Sequence, residues 1–169
     1  MPISPSQREQ ALIRLVETHE QELLRLCCIY LGDAHLAQDA VQETFFKVYC
    51  HLDGFLGKCS EKTWLTRIAI NTCRDIKKQR WFRFIDQSKP FENLPERASE
   101  CTQEQIDLVL DIMRLPPKYK EVILLRYYQQ MSLNEIADAL RIAKRTVSYR
   151  LMKAHELLKI ELGKEDVHE

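Results

Sequence analysis

The feature that most constrains this chain lies in residues 132–159, SLNEIADALRIAKRTVSYRLMKAHELLK, where two short helical patterns are joined by too few residues for anything but a tight helix-turn-helix. Ser132 followed by Glu135 is a capping box: the serine hydroxyl accepts from the Glu135 N–H while the carboxylate reaches back to the serine N–H. A helix therefore starts near Leu133, with Ile136, Ala137 and Leu140 as its inward face and the small Ala137 allowing a crossing helix close. Ile142 plugs the corner. The second helix carries the buried stripe Val147, Leu151, Ala154 and Leu158. Its other side holds Lys144, Arg145, Ser148, Tyr149, Met152 and Lys153, with no acid between residues 144 and 155. Acids lie on the first helix (Glu135, Asp138) and bases on the second, the arrangement of a helix whose N-terminal half enters a major groove. A solvated charged face on an ordinary helical hairpin is the competing reading. Arg141 falls where the turn needs positive φ, at a cost on the order of 1 kcal/mol relative to glycine, and Ala143 is a poor N-cap.

Charge has to be segregated for this reading to hold. The 25 basic and 25 acidic residues cancel, so the whole molecule has no net attraction to nucleic acid. Four glycines and few alternating apolar runs argue against a sheet, and the expected class is all-α. The N-terminus shows no signal peptide and no apolar run reaches the roughly 20 residues that span a bilayer, so a cytosolic protein without membrane insertion is expected. None of the six cysteines (Cys27, Cys28, Cys50, Cys59, Cys73, Cys101) forms a C-x-x-C pair. Most lie on apolar helical faces, and reduced, buried thiols are expected. Cys50, His51 and Cys59 form the single group worth naming for a structural zinc. Glycine-rich phosphate loops, nucleophile elbows and paired carboxylates beside a histidine are missing, so neither enzymatic activity nor a cofactor is expected.

Upstream, Ser6 with Glu9 reads as another capping box opening a long helix, with Leu12, Leu15, Val16, Leu23, Leu26, Cys27 and Tyr30 at helical spacing and Gly32 at its end. Asp33 caps a second helix whose core side is Leu36, Ala40, Val41, Phe45 and Val48 and whose outer side is Asp39, Gln42, Glu43 and Lys47. Residues 51–60, HLDGFLGKCS, read as a loop. Ser60 caps a third helix with the stripe Trp64, Leu65, Ile68, Ala69, Thr72, Cys73 and Ile76. This helix ends in Arg74, Lys77, Lys78, Arg80 and Arg83, interleaved with Trp81, Phe82 and Phe84, a mixture suited to phosphates and unstacked bases or to a helix end with snorkelling lysines. Residues 86–102 have no period and two prolines and read as a linker. Ile106, Val109, Leu110 and Met113 mark the next helix. Pro117 then opens another, with Val122, Ile123, Leu125 and Tyr128 toward the core.

Four segments carry a likeness to a known family: DAHLAQDAVQETFFKVY at 33–49, KTWLTRIAINTCRDIKKQR at 62–80, LPPKYKEVILLRYYQQMSLNEIADAL at 115–140, and the helix-turn-helix. In their order and separation, over residues 10–159, the chain resembles the extracytoplasmic-function (group IV) sigma factors of bacterial RNA polymerase, in the sigma-70 family. The resemblance implies a region 2-like domain over 1–85, a linker over 86–102, a region 4-like helix-turn-helix domain over 103–162 and a tail over 163–169. It implies core polymerase binding through Asp39, Val41, Gln42, Glu43, Thr44 and Phe45. A melted downstream promoter box would meet Phe55, Lys58, Trp64, Arg67, Asn71, Arg74, Asp75, Lys77 and Lys78. Duplex DNA of the upstream box would meet Lys144, Arg145, Thr146, Ser148, Tyr149, Arg150, Met152 and Lys153. An anti-sigma factor is a further implied partner. Where the family often has Gly-Thr-Val early in the recognition helix, this chain has Arg145, Thr146 and Val147. Zero net charge suits a sigma factor, because the polymerase supplies most of the affinity. A stand-alone helix-turn-helix regulator is the alternative, and a purely protein-binding role the third.

Overall fold

Helix 1 begins at Pro5, two residues ahead of the Ser6/Glu9 start expected from sequence, in a computed structural model that describes residues 3–83 and 102–162 (backbone alone for 81–83 and 159–162). The reason is local. Proline lacks the N–H that a helix start leaves unbonded and its fixed φ suits the first helical position, so the cap falls on Ser4. Its hydroxyl accepts from Gln7 N while the Gln7 side chain accepts from Ser4 N. The linker expected over 86–102 lies, except for Thr102, outside the described residues, as do Phe84, Cys101, the tail and the side chains of Trp81, Phe82 and Arg83.

Helix α1 (Pro5–Leu31) stops at Gly32, which takes φ 68° and donates its N–H to Cys28 O. Asp33 Oδ1 then accepts from Leu36 N at 3.0 Å and opens α2 (Ala34–His51). A single 3₁₀ turn, Leu52–Gly54, leads into the loop before Ser60. The Ser60 hydroxyl accepts from Thr63 N at 3.1 Å at the start of α3 (Glu61–Arg83). All three helices pack on one another. Leu15, Leu23, Leu26 and Tyr30 of α1 meet Ala40, Val41, Phe45 and Val48 of α2 and Leu65, Ala69, Ile70 and Cys73 of α3, all buried. Each large side chain contributes about 1.5–3 kcal/mol by leaving water.

Polar side chains fasten the rim. Arg14 donates to both Glu61 carboxylate oxygens, at 2.9 and 2.6 Å, and Lys62 lies 3.3 Å from Glu22, tying α3 to α1. The hydrogen bond from Arg14 holds the Glu61 carboxyl below its ordinary range. A lowered folded-state value means stability present above the unfolded value and lost as pH falls through the folded one. Arg8 pairs with Asp53, which also accepts from Ile3 N, so the chain start is bound to the turn after α2.

The contacts divide the chain into two units, and α4–α7 form the second. Thr102 and Gln105 make the capping box of α4 (Gln103–Arg114). Pro117 opens α5 (Pro117–Ile123), which continues as a π turn over Leu124–Tyr128. There Gln129 N donates to Leu124 O and Met131 N to Leu125 O. The wider turn rotates the residues at its end to new directions. Tyr128, expected in the core, is exposed, while Gln129 and Met131 are buried.

Helix α6 (Leu133–Leu140) starts at the Ser132/Glu135 box as expected. Its buried face is Ile136, Ala139 and Leu140; Ala137 is half-buried, and its carbonyl serves the turn by accepting from the N–H of Arg141 and of Ile142. Arg141 holds φ 54° and ψ 47°, the left-handed conformation expected of it. Arg141→Gly is therefore expected to raise stability by about 0.5–1 kcal/mol, read as a higher urea midpoint. An unchanged or lower midpoint would show that the arginine is not strained.

Candidate nucleic-acid interface

The turn at Arg141 sets the direction of α7 (Lys144–Leu162). Val147, Ala154 and Leu158 bury one side of it, and Leu151, expected with them, is half-buried. The opposite side carries exposed Lys144, Arg145 and Ser148, together with Tyr149 and Met152 at 53% and 49% exposure; Thr146, Arg150 and Lys153 are half-buried at its edges. All eight expected residues are thus within reach of solvent. One residue on this face was missed. Glu156 follows Lys153 by three positions, and its Oε2 accepts from Lys153 Nζ at 3.0 Å while that ammonium lies 6.0 Å from the Tyr149 ring centre. The Glu156 hydrogen bond, then its charge, raises the lysine pKa. The i,i+3 spacing was the available signal. Farther along, Tyr127 Oη and His155 Nε2 share a 2.8 Å hydrogen bond between the end of α5 and α7.

In the first unit the 3.6-residue period puts Trp64, Arg67, Asn71, Arg74, Asp75 and Lys78 along one side of α3. Phe55, from the loop, stacks on Trp64 with ring centres 4.7 Å apart and planes at 27°. Both rings are half-buried, so they form a ledge at the surface rather than part of the core. Leu56 beside them is 72% exposed and Lys58 is exposed as well. Arg74 Nη1 donates to Asn71 Oδ1 at 3.4 Å. Lys77 departs from the expectation. Its ammonium sits 4.8 Å from the Tyr30 ring centre, over α1, because its position on the wheel is a quarter-turn or more from the Trp64–Asn71 line.

On α2 the expected polymerase residues separate into two sets. Asp39, Gln42 and Glu43 are exposed. Val41, Thr44 and Phe45 are buried, with the Thr44 hydroxyl donating to Ala40 O, since 41, 44, 45 and 48 are one helical stripe. They hold the helix in place and present nothing outward. Phe46, at 63% exposure, and Tyr49 are apolar surface residues that the sequence reading overlooked.

Two family profiles match these units: "Sigma-70 region 2" over residues 15–83 and "Sigma-70, region 4" over residues 111–158. The chain belongs to the sigma-70 family. The ECF RNA polymerase sigma factor SigW of Bacillus subtilis (strain 168) is 30% identical to it over 168 residues, covering 91% of this chain and 90% of the relative. Among solved structures, CnrH in complex with the cytosolic domain of CnrY superposes with TM-score 0.72 at 25% identity, covering 94% of this chain and 91% of that one. The sigma factor RpoE, in complex with the anti-sigma factor NepR from Bartonella quintana, matches in fold with TM-score 0.73 at 21% identity, covering 94% and 97%. This is an alternative sigma factor of the extracytoplasmic-function group, and its activity is to direct RNA polymerase.

Cys27 and Cys73 are fully buried, with Sγ atoms 3.5 Å apart, and hydrogen bonding to Cys73 followed by burial drives the Cys27 thiol far above its ordinary range. Burial also raises Cys28. Cys28 and Cys59 are only half-buried and Cys50 is exposed, so the buried-thiol expectation holds for two of the described cysteines. Among the described residues no three His, Cys, Asp or Glu side chains come together as a metal site, Cys50, His51 and Cys59 included. No described helix of this sigma factor is long and apolar enough to cross a membrane.

Proposed function

We propose that the two units divide promoter recognition: the first (residues 1–85) binds core polymerase through α2 and the melted downstream box through α3 and the Phe55 loop, and the second (residues 103–162) reads the duplex upstream box with α7. The observation that carries this is the cationic α7 face from Lys144 to Lys153, exposed along its middle and half-buried at its edges, directed by the left-handed turn at Arg141. Ser148, Tyr149, Met152 and Lys153 approach base edges, and Lys144, Arg145, Thr146 and Arg150 hold phosphates. Asp39, Gln42 and Glu43, with Phe46 beside them, face a basic surface of the polymerase, since DNA phosphates would repel two of them. All catalysis belongs to the polymerase. An anti-sigma factor is proposed as a partner, supported by the company that the RpoE relative keeps.

Purified chain added to core polymerase on genomic DNA, with the transcripts sequenced, tests the reading. Transcripts starting downstream of a shared two-box motif are expected. Tight, specific binding to a palindromic duplex without core enzyme would instead make the chain a stand-alone regulator.

Lys153→Ala is expected to weaken promoter binding by the holoenzyme by about 1–3 kcal/mol and to relax preference at a single base position. Binding assays across all single substitutions of the upstream box decide it. Equal weakening on every sequence would move Lys153 to the phosphate set.

A further inference from the structure

Lys47 stands between the two faces of the first unit. It is half-buried on α2, and its Nζ donates to the Thr72 hydroxyl of α3 at 3.1 Å. Thr72 is itself fixed, because its hydroxyl donates to Ile68 O at 2.8 Å and the side chain is buried. The same ammonium lies 3.7 Å from Glu43 Oε1 and 3.9 Å from Asp75 Oδ2. An ammonium has three donors and here spends one on Thr72. Its charge faces, at nearly equal distance, a carboxylate on α2 and one on α3.

We propose that Lys47 is a positioning residue that couples polymerase binding at Glu43 to promoter handling at Asp75. The inference rests on the assignment of Glu43 to the polymerase face and Asp75 to the promoter face. A cation of the polymerase that engages Glu43 removes one claimant on Lys47, whose charge then falls on Asp75 alone. Asp75 is the acidic group among Asn71, Arg74 and Lys78, and an uncompensated carboxylate there repels the phosphates of a separated strand. Beside Lys47, it loses part of that repulsion. Exposed ion pairs add little to stability, so the contacts to the two exposed carboxylates bear on function more than on folding.

The test is a double-mutant cycle in the holoenzyme, reading open-complex formation on a duplex promoter by permanganate reactivity. Lys47→Met is expected to lower it about tenfold, within the usual range for coupling between two sites, with melting temperature unchanged and core polymerase affinity not reduced. In an Asp75→Asn background the same substitution is expected to change it less than about twofold, since no carboxylate remains at residue 75 on α3 to be compensated. Lys47→Arg, which keeps the charge, should retain most of the activity. Equal losses in both backgrounds, or a lowered melting temperature with no recovery in the arginine variant, would make Lys47 a structural residue and overturn the proposal. Unchanged open-complex formation in Lys47→Met overturns it too. Failure of the underlying assignment shows separately: Asp75→Asn alone would then leave preference at every downstream-box position unaltered.

Discussion

Replacing Asp39 and Glu43 by lysine is expected to abolish co-purification with core RNA polymerase while the far-ultraviolet circular dichroism of the chain stays unchanged. Both side chains are exposed on α2, and neither belongs to the buried stripe of Ala40, Val41, Thr44, Phe45 and Val48. The new lysine at 43 would sit one turn from Lys47, a like-charge pair that costs about 0.2–0.5 kcal/mol, far too little to unfold α2. The binding penalty is of another size. Each reversal replaces an attraction to a basic partner surface by a repulsion, and like charges across an interface cost several kcal/mol. Every 1.4 kcal/mol is about tenfold in affinity, so two reversals together remove association at ordinary concentrations. Normal co-purification by the folded variant would strip α2 of this role. Phe46→Ala is a useful companion, because it tests whether the exposed ring lies inside the same interface.

Helices whose ends are written in local chemistry were legible in advance. Gly32, Asp33, Ser60, Ser132 and Arg141 all act where the sequence placed them, since a cap or a left-handed residue depends on neighbours three or four positions away. What was misread depended on competition or on wider geometry. Ser6/Glu9 is a sound capping box defeated by Pro5, which made Ser4 the better start. Tyr128 follows the apolar period of α5, but the π turn shifts that period within one helical turn. For Val41, Thr44 and Phe45, periodicity marked the first and last as core while likeness to the family marked all three as binding residues; burial agrees with periodicity. Lys77 reads as one more base on a basic helix end, and only the packing of α1 beside α3 reveals the Tyr30 ring beneath it. The cross-helix network at Lys47 was out of reach for the same reason. Its two partners on α3 are 25 and 28 positions away.

Strand separation is where the second large effect is expected. An unstacked base left in water forfeits its stacking, whereas an aromatic face returns roughly 1–3 kcal/mol per base. The Phe55–Trp64 ledge offers such a face at the mouth of the α3 side that carries Asn71, Arg74 and Asp75, with amide, guanidinium and carboxylate groups able to meet a Watson–Crick edge. Phe55→Ala removes a stacked pair worth about 0.5–1.5 kcal/mol beyond its buried area, and Asn71→Ala alters an exposed position, usually within about 0.5 kcal/mol. The double variant should therefore fold. With polymerase binding intact, it is expected to lose transcription from a duplex promoter by roughly tenfold or more, as one lost stack implies. On a template melted in advance by mismatches the loss should shrink, because the cost of unpairing has been met before the protein acts. Rescue of this kind separates a base-holding role from a packing role. A sharp fall in melting temperature with equal losses on both templates would make Phe55 a packing residue and move the base-holding surface elsewhere on the first unit.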